Sequence, residues 1–484
     1  MLTILDCYTD EPAGLGVPPY LGTYPRYLYG QLADESPTYI TIDDLRFFVF
    51  YDGNEKKKEI SHKTNIKIYN LTKNVERIGE IVKNTSKLII NIGVHVPGKY
   101  LSAIPGTLHE VKELVQCFDC AKVLTGPGIF GTQLEGGKAS ENVSTSGFSI
   151  KSAQFPFKDI KDYAVRGVGI MDQIPEYRII EIETSRGCGS LSGCSFCTEP
   201  IKNRLEFRPK DDILQEIKVF YDKGCRYFRL GKQSCIIAFP KLGDLLKEIT
   251  DACPDMKVLH VDNVDPKNVV TKRGTQAVQD IVKYCTSGNI AAMGVETFDP
   301  AVSEANTLNA PPEMAMEAIR IVNKYGAERG PNGMPKFLPG INLIYGLNEE
   351  TKHTNEYNMK AFQTMLDENL LIRRINIRQV ALFEGTALSK TVGLKFLHKN
   401  KRYYWKWRNE VRQKVDLPML RKLVPTGAIL RNVYAEIYDG NTTFARQIGT
   451  YPLIVGIKGR LPLKQFFDIK VTDHMLRSIT GIVV

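Results

Sequence analysis

A chain of 484 residues with 43% hydrophobic and 24% charged residues has the composition of a globular protein, and at roughly 150 residues per domain it has room for three; a disordered polymer is excluded. No apolar run approaches the roughly 18 residues that cross a bilayer, and the N-terminal MLTILDCYTDEPAG carries no basic region before an apolar stretch, so no membrane contact is expected and the cytoplasm is the expected location. The net charge is +10, and residues 401–484 hold 15 Lys and Arg against 6 Asp and Glu, a local excess of +9 that suits a polyanion such as nucleic acid or, more plainly, a solvated face.

In chain order, LTILDCY reads as a buried strand, a Pro and Gly rich loop follows, and a helix is predicted from about Tyr24 to Leu32. Further strands are predicted at PTYITI, NIKIYN, KLIINIGV and AKVLTGPG with helical stretches between several of them, so residues 1–132 form an open, mainly parallel, Rossmann-like α/β module. Gly126, Pro127 and Gly128 follow a strand, where such folds bind ligands, although a tight turn explains them equally. Residues 133–154 are rich in Gly, Ser, Thr and Asn and read as a linker or long loop.

The next domain spans 155–426. Its first strand leads into TSRGCGSLSGCSFCTEP, which places Cys188, Cys194 and Cys197 in a C-x5-C-x2-C pattern. Three thiolates on one loop suggest a metal centre: a cubane would keep one iron open, a zinc site would need a fourth ligand from elsewhere, and buried thiols without a role are the plain alternative. Gly187, Gly189, Ser190, Ser192 and Gly193 allow the backbone to wrap a bulky group. After the loop, PKDDILQEIKVFYDKG is a predicted helix with Asp211 and Asp212 in its first turn and Gly224 at its stop. Strands follow at CRYFRLG, KVLHVDN, IAAMGVE, PGINLIYG and RRINIRQV, making six βα units, too few to close an eight-stranded barrel. His260, Asp262 and Asn263 end the third strand as possible ligand contacts or as a structural hydrogen-bond cluster.

These residues resemble the radical S-adenosylmethionine (radical SAM) enzymes. The cysteine loop matches in its aromatic Phe196 before the third cysteine and departs in having five residues rather than three between the first two. The resemblance implies a partial (β/α)6 TIM-type barrel, a [4Fe-4S] cluster on Cys188, Cys194 and Cys197, and S-adenosylmethionine on the fourth iron. Gly231 and Gln233, at the end of the second strand, fall where the family holds the methionyl amine, without the usual acidic residue. Glu296 is placed to accept from ribose hydroxyls, with a salt bridge as its plain role. Ile344, Gly346 and Glu349 match GxIxGxxE, with Asn342 in place of the first glycine and Ile344 set to pack on adenine. Arg378 and Gln379, near the end of the sixth strand, are expected to face the same mouth, with an ordinary ion pair as the plain role of the arginine. A flavodoxin- or ferredoxin-like electron donor is implied as a partner.

The N-terminal module is similar to those preceding many radical SAM cores, including cobalamin-binding ones. Counting from Asp6, the cobalamin-ligating histidine and the later glycine of that motif would fall on Tyr8 and Glu11, so histidine ligation is not expected. Cys7, Cys117 and Cys120 could hold a second cluster, as in methylthiotransferases, or be ordinary thiols.

KRYYWKWRNEVRQK interleaves aromatic and basic residues, which suits nucleic acid; a helix packing Trp405 on the barrel with its cations in water is the preferred alternative. Residues 427–484 alternate in short runs broken by Gly and Pro and read as a small antiparallel β-barrel. It resembles the TRAM domain of tRNA methylthiotransferases, which makes Arg446, Tyr451, Lys470 and Arg477 candidate RNA contacts; a structural lid is the alternative. The whole chain resembles an archaeal group within the family. The function implied is SAM cleavage to a 5′-deoxyadenosyl radical for RNA modification, such as tRNA methylthiolation or methylation. A small-molecule or protein substrate, or an RNA-binding protein with a structural metal centre, are the alternatives.

Overall fold

A computed structural model describes residues 1–7, 20–51, 70–93, 105–126, 129, 144–151, 155–175, 177–190 and 193–484. The chain divides into two compact units, Met1–Ile182 with Arg208–Phe228, and Glu183–Phe207 with Arg229–Val484.

In the first unit, β1 (Leu2–Asp6) is the hub of a parallel sheet with β3 (Thr38–Thr41), β4 (Lys87–Asn91), β5 (Ala121–Thr125) and β6 (Ser149–Ile150), in the order β3-β1-β4-β5-β6. All four pairings are parallel. Leu5, Ile40, Leu88, Ile90 and Leu124 are buried together with residues of the helices Ile42–Tyr51, Ile78–Asn84 and Leu108–Leu114, as expected of parallel strands covered by crossover helices. The predicted helix near Tyr24 is Thr23–Gln31. The expected loop at 133–154 contributes β6 as an edge strand, because Ser149 and Ile150 pair with Val123 and Leu124. Most of NIKIYN, together with Tyr8, Glu11, Pro127, Gly128 and Ser192, lies outside the described residues.

Cys7, Cys117 and Cys120 are not brought together. Cys7 follows the carboxyl end of β1, whereas Cys120 precedes β5, whose Ala121 is level with Lys87 and Leu2 at the amino end. A strand of this length separates the two by about 15 Å. Cys7 is fully buried and burial raises its thiol pKa, so it behaves as a small apolar side chain.

Residues 155–182 and 208–228 of the predicted core fall in this first unit, away from the expected boundary at residue 155. β2 (Tyr20–Leu21) pairs with the start of β7 (Ile179–Glu183). The helix Lys210–Asp222 places Glu216 between Arg26 and Arg208, all three fully buried. Burial alone would raise the Glu216 carboxyl pKa, and the two guanidinium groups bring it below its ordinary value.

All six predicted core strands are present: β7, β10 (Tyr227–Gly231), β11 (Val258–Val261), β13 (Asn289–Glu296), β14 (Phe337–Tyr345) and β15 (Arg374–Gln379). Short strands β8 (Ser185–Arg186), β9 (Glu206–Phe207) and β12 (Asn263–Val264) accompany them. In the second unit β12, β13, β14 and β15 lie side by side in parallel, with Asn263, Ala292, Gly340 and Arg374 at one level. Helices Leu242–Ala252, Lys272–Tyr284, Pro312–Gly326 and Thr354–Asp367 alternate with the later strands, so the partial (β/α)6 repeat is realised.

The C-terminal segment forms a closed barrel in the order β16-β17-β18-β20-β19, from β16 (Ile429–Asp439), β17 (Thr442–Gln447), β18 (Val455–Lys458), β19 (Phe466–His474) and β20 (Ile479–Val483). It departs from the all-antiparallel expectation at one seam, where β18 and β20 run parallel. Its core residues Leu430, Val433, Val455 and Ile469 are continuous with Ile290, Met334 and Leu338 at the amino-terminal side of β13 and β14.

Candidate active site

The cysteine loop is closed at its base. β8 pairs antiparallel with β9, and Thr184 N donates to Gly231 O at 3.3 Å, joining the loop to the end of β10. Gly187 turns the chain with φ +79°, and a Cβ there would lie 2.3 Å from Arg204 O, so no other residue fits. Its N–H donates to Glu199 at 2.9 Å. Burial would raise the Glu199 carboxyl, but Lys202, Asn203 and this N–H hold it below the ordinary value.

Each thiol is half-buried and receives a backbone N–H: Cys188 Sγ from Ser190 at 3.4 Å, Cys194 from Asn309, and Cys197 from Glu199. Burial, then Glu296, then the neighbouring Cys197 push Cys194 up to about 12, and Cys197 is raised by burial and by Cys188. The crowding brings the three thiols and Glu296 into one neighbourhood. Among the described residues no three His, Cys, Asp or Glu side chains converge on a point that one ion could fill, as a closed zinc site requires. Thiolates that each take a different iron of a cluster need no such point.

Glu296 ends β13 at a register shift, with φ +65°. Its Oε2 is sealed from solvent and has no hydrogen-bond partner among the described residues, and burial lifts the carboxyl to about 8 against the pull of Arg378. Arg378 and Gln379 are exposed at the end of β15, and Ile344 is half-buried beside Arg378 in the register. Gly346 follows with φ +96°, where a Cβ would lie 2.6 Å from Leu397 Cβ. Asn342 accepts from Asn376 at 3.2 Å.

Other predicted residues are placed differently. Glu349 is exposed in a left-handed conformation; the next carboxylate, Glu350, is buried and accepts from Gly346 N at 2.8 Å. Burial lifts Glu350 to about 8, opposed by the N–H groups of Gly346 and Leu347, and its Oε1 has no hydrogen-bond partner among the described residues. The Gln233 side chain is engaged internally, accepting from Thr184 at 3.3 Å and donating to Leu230 O at 3.1 Å. Phe196 is half-buried within the loop.

Asn306, which the sequence reading missed, ties the site together. It is fully buried; its Oδ1 accepts from Ser195 Oγ at 2.7 Å and from Asn348 N at 3.2 Å. Its Nδ2 donates to Val302 O and Asn348 O, and its carbonyl accepts from Ser195 N. The cysteine loop and the Gly346 turn are thereby held by one side chain.

His260 and Asp262 face the C-terminal barrel rather than the cysteines. His260 Nδ1 lies 3.1 Å from both Thr450 N and Thr450 Oγ1, and burial lowers its pKa to about 4. Asp262 pairs with Arg229 at 3.5 Å and accepts from Tyr451 at 3.1 Å, and Arg374 lies 4.2 Å from the Tyr451 ring centroid. Of the four expected RNA contacts, Tyr451 is therefore turned inward, and Arg446 is buried with Glu436 at 2.7 Å; Lys470 and Arg477 are exposed. The tryptophans are also exchanged: Trp407 is buried on Tyr345, while Trp405 is 59% exposed.

Residues 182–357 match the family model of the radical SAM superfamily. This chain is a radical SAM enzyme. The superfamily uses a [4Fe-4S] cluster and S-adenosylmethionine, and the donor set here fits them: three thiols supplied with N–H groups, and a sealed carboxylate oxygen awaiting a donor. An uncharacterised protein of Methanocaldococcus jannaschii is 38% identical over 99% of this chain and 93% of its own length. Another from Archaeoglobus fulgidus is 36% identical over 99% and 89%. Among solved structures, the radical SAM methyltransferase TsrM from Kitasatospora setae, bound to cobalamin and a [4Fe-4S] cluster, is 14% identical, with TM-score 0.49 over 80% of this chain and 73% of that one. The cobalamin-dependent radical enzyme OxsB is 13% identical, with TM-score 0.47 over 75% and 51%. Among the described residues no helix is long and apolar enough to cross a membrane.

Proposed function

We propose that Cys188, Cys194 and Cys197 hold the cluster, that Glu296 with the Ile344–Gly346 segment holds S-adenosylmethionine, and that the substrate is RNA. When bound and reduced by a flavodoxin- or ferredoxin-like donor, the cluster supplies the electron that breaks the S–C5′ bond, releasing methionine and a 5′-deoxyadenosyl radical able to take hydrogen from a C–H bond. The observation that carries the reading is the sealed, unpartnered Oε2 of Glu296 beside the three thiols, because a ribose hydroxyl would satisfy it. Gly346 lets Leu397 pack directly on the turn after β14, and Asn306 holds the cysteine loop against that turn. Gly231, joined to Thr184, borders the same loop, and Arg378 acts on the Glu296 carboxylate.

RNA is favoured by the +9 balance of residues 401–484 and by the TRAM resemblance of the barrel. A small polar substrate is the second reading, and the inward placement of Tyr451 on Asp262 favours it, since it makes the C-terminal barrel part of the enzyme body, while Arg446 is taken up within the barrel by Glu436. Transfer of deuterium separates the two. Reconstituted enzyme is given unlabelled S-adenosylmethionine and RNA deuterated at carbon; deuterium in the 5′-deoxyadenosine supports RNA, and unlabelled product from a competent enzyme on several RNA pools contradicts it.

A further inference from the structure

The helix Lys395–Val411 has two faces of opposite character. Phe396, Asn400, Tyr404, Trp407 and Val411 are buried, and they brace the candidate SAM-binding strands. Asn400 Nδ2 donates to Glu350 O at 2.7 Å, Tyr345 OH donates to Asn400 O at 2.9 Å, and Tyr404 OH donates to Ile377 O at 3.4 Å. The spacing of the buried positions, four, four, three and four residues, fixes what the opposite face must carry.

That face carries Lys395, Lys399, Arg402 and Lys406, all exposed and spaced by four, three and four residues. They form a single stripe about 16 Å long at the helical rise. The helix contains one acid, Glu410, and it is occupied by Lys414 at 2.6 Å. Like charges at these spacings repel, so the stripe lowers the stability of its own helix and gains from an external anion. Beside it stands Trp405, 59% exposed, with the Arg408 guanidinium 5.2 Å from its ring centroid. A solvated face explains the lysines and does not explain an indole held in water among them.

We infer that this face docks single-stranded RNA, with the four cations following successive phosphates and Trp405 taking one base. Stacking on an aromatic ring combined with a track of cations is the chemistry that recognises a flexible polyanion bearing flat bases. A duplex keeps its bases paired and offers Trp405 none. An anionic membrane would take the cations but has no flat group to stack on an indole edged by Tyr404 and flanked by charge, and an acidic peptide lacks the bases. The inference deepens the RNA reading above and rests on it for its connection to catalysis. The same helix reaches Glu350 through Asn400 and packs on Gly346 through Leu397, so the docked strand would lie on the element that shapes the active-site turn.

The test uses the intact chain without reductant or S-adenosylmethionine, so it is independent of radical chemistry. The chain has two tryptophans, one buried and one exposed, and oligoadenylate of about 12 nucleotides is expected to quench the exposed one. Trp405→Phe should abolish most of the quench while labelled oligoadenylate still binds, and Trp405→Ala should weaken binding roughly ten-fold. The affinity should fall with salt at a log–log slope of about −3 for four phosphates, and Lys399→Gln with Lys406→Gln should flatten it by about half. Unchanged affinity and slope in these folded variants would overturn the inference. So would quenching by phosphatidylserine vesicles or polyglutamate in place of RNA. RNA binding without deuterium transfer would leave the docking face standing and remove RNA as the hydrogen donor.

Discussion

At the amino-terminal side of β13 and β14, Ile290, Met334 and Leu338 disappear into the core of the C-terminal barrel, whereas beyond the carboxyl ends of the same strands Glu296 and Glu350 each keep a buried oxygen without a hydrogen-bond partner. One end is packed, and among the described residues only the side-chain amide nitrogen of Asn289 at the start of β13 is left there without a partner. The other bears the cost of two carboxyls lifted to about 8 by burial and of backbone held at positive φ at Glu296 and Gly346. Cost concentrated at one end of otherwise regular strands is the mark of a ligand end, in keeping with the rule that barrels of this kind do chemistry at their carboxyl face and gain stability at the other.

Substitutions should separate the two ends. The largest effect is expected of Gly346→Ala, whose Cβ would meet Leu397 Cβ at 2.6 Å in a backbone conformation that side chains avoid: a loss of roughly 2–4 kcal/mol in thermal or denaturant unfolding, together with S-adenosylmethionine binding. Next is acid. His260 has a folded-state pKa lowered to about 4, so the unfolded chain takes up the proton first; its contribution is complete above pH 6.5 and is lost as the pH falls towards 4, up to about 3 kcal/mol, readable as a falling melting temperature that His260→Gln blunts. Glu296→Gln should leave the fold intact and weaken S-adenosylmethionine binding about ten-fold, measured by calorimetry on the reconstituted protein. The smallest effect is expected of Tyr451→Phe, which removes the hydrogen bond to Asp262: about 1 kcal/mol of stability, with the rate of S-adenosylmethionine cleavage unchanged. A larger effect of Tyr451→Phe on cleavage than of Glu296→Gln would reverse the assignment of the two ends.

Much of this was legible in the sequence. The six core strands appear where apolar runs end in Gly, Glu or Asn, because parallel strands buried on both faces advertise themselves by composition. The cysteines were legible because thiols on one loop need no tertiary partner to be recognised. Asn306 was not, since its partners Ser195 and Asn348 lie 111 and 42 residues away and nothing local marks a buried amide. Glu349 and Glu350 are adjacent carboxylates, and only the left-handed turn at Glu349 decides which one points back at Gly346. Trp405 and Trp407 differ by two residues, and the phase of the helix, set by Phe396, Asn400 and Tyr404, buries the second. That phase was present in the spacing and went unused. Arg446 follows the core residue Ala445 and by strand alternation faces the other way, yet it is buried and paired with Glu436 of the neighbouring strand, which strand alternation alone does not reveal.

The most direct measurement is anaerobic reconstitution with iron and sulfide, reduction in the presence of S-adenosylmethionine, and quantification of 5′-deoxyadenosine, for the intact protein and for Cys188→Ala, Cys194→Ala and Cys197→Ala. Product is expected from the intact protein and none from any of the three variants. A fully loaded, reducible cluster that yields no 5′-deoxyadenosine with or without RNA, or product that survives loss of one of these cysteines, would contradict it.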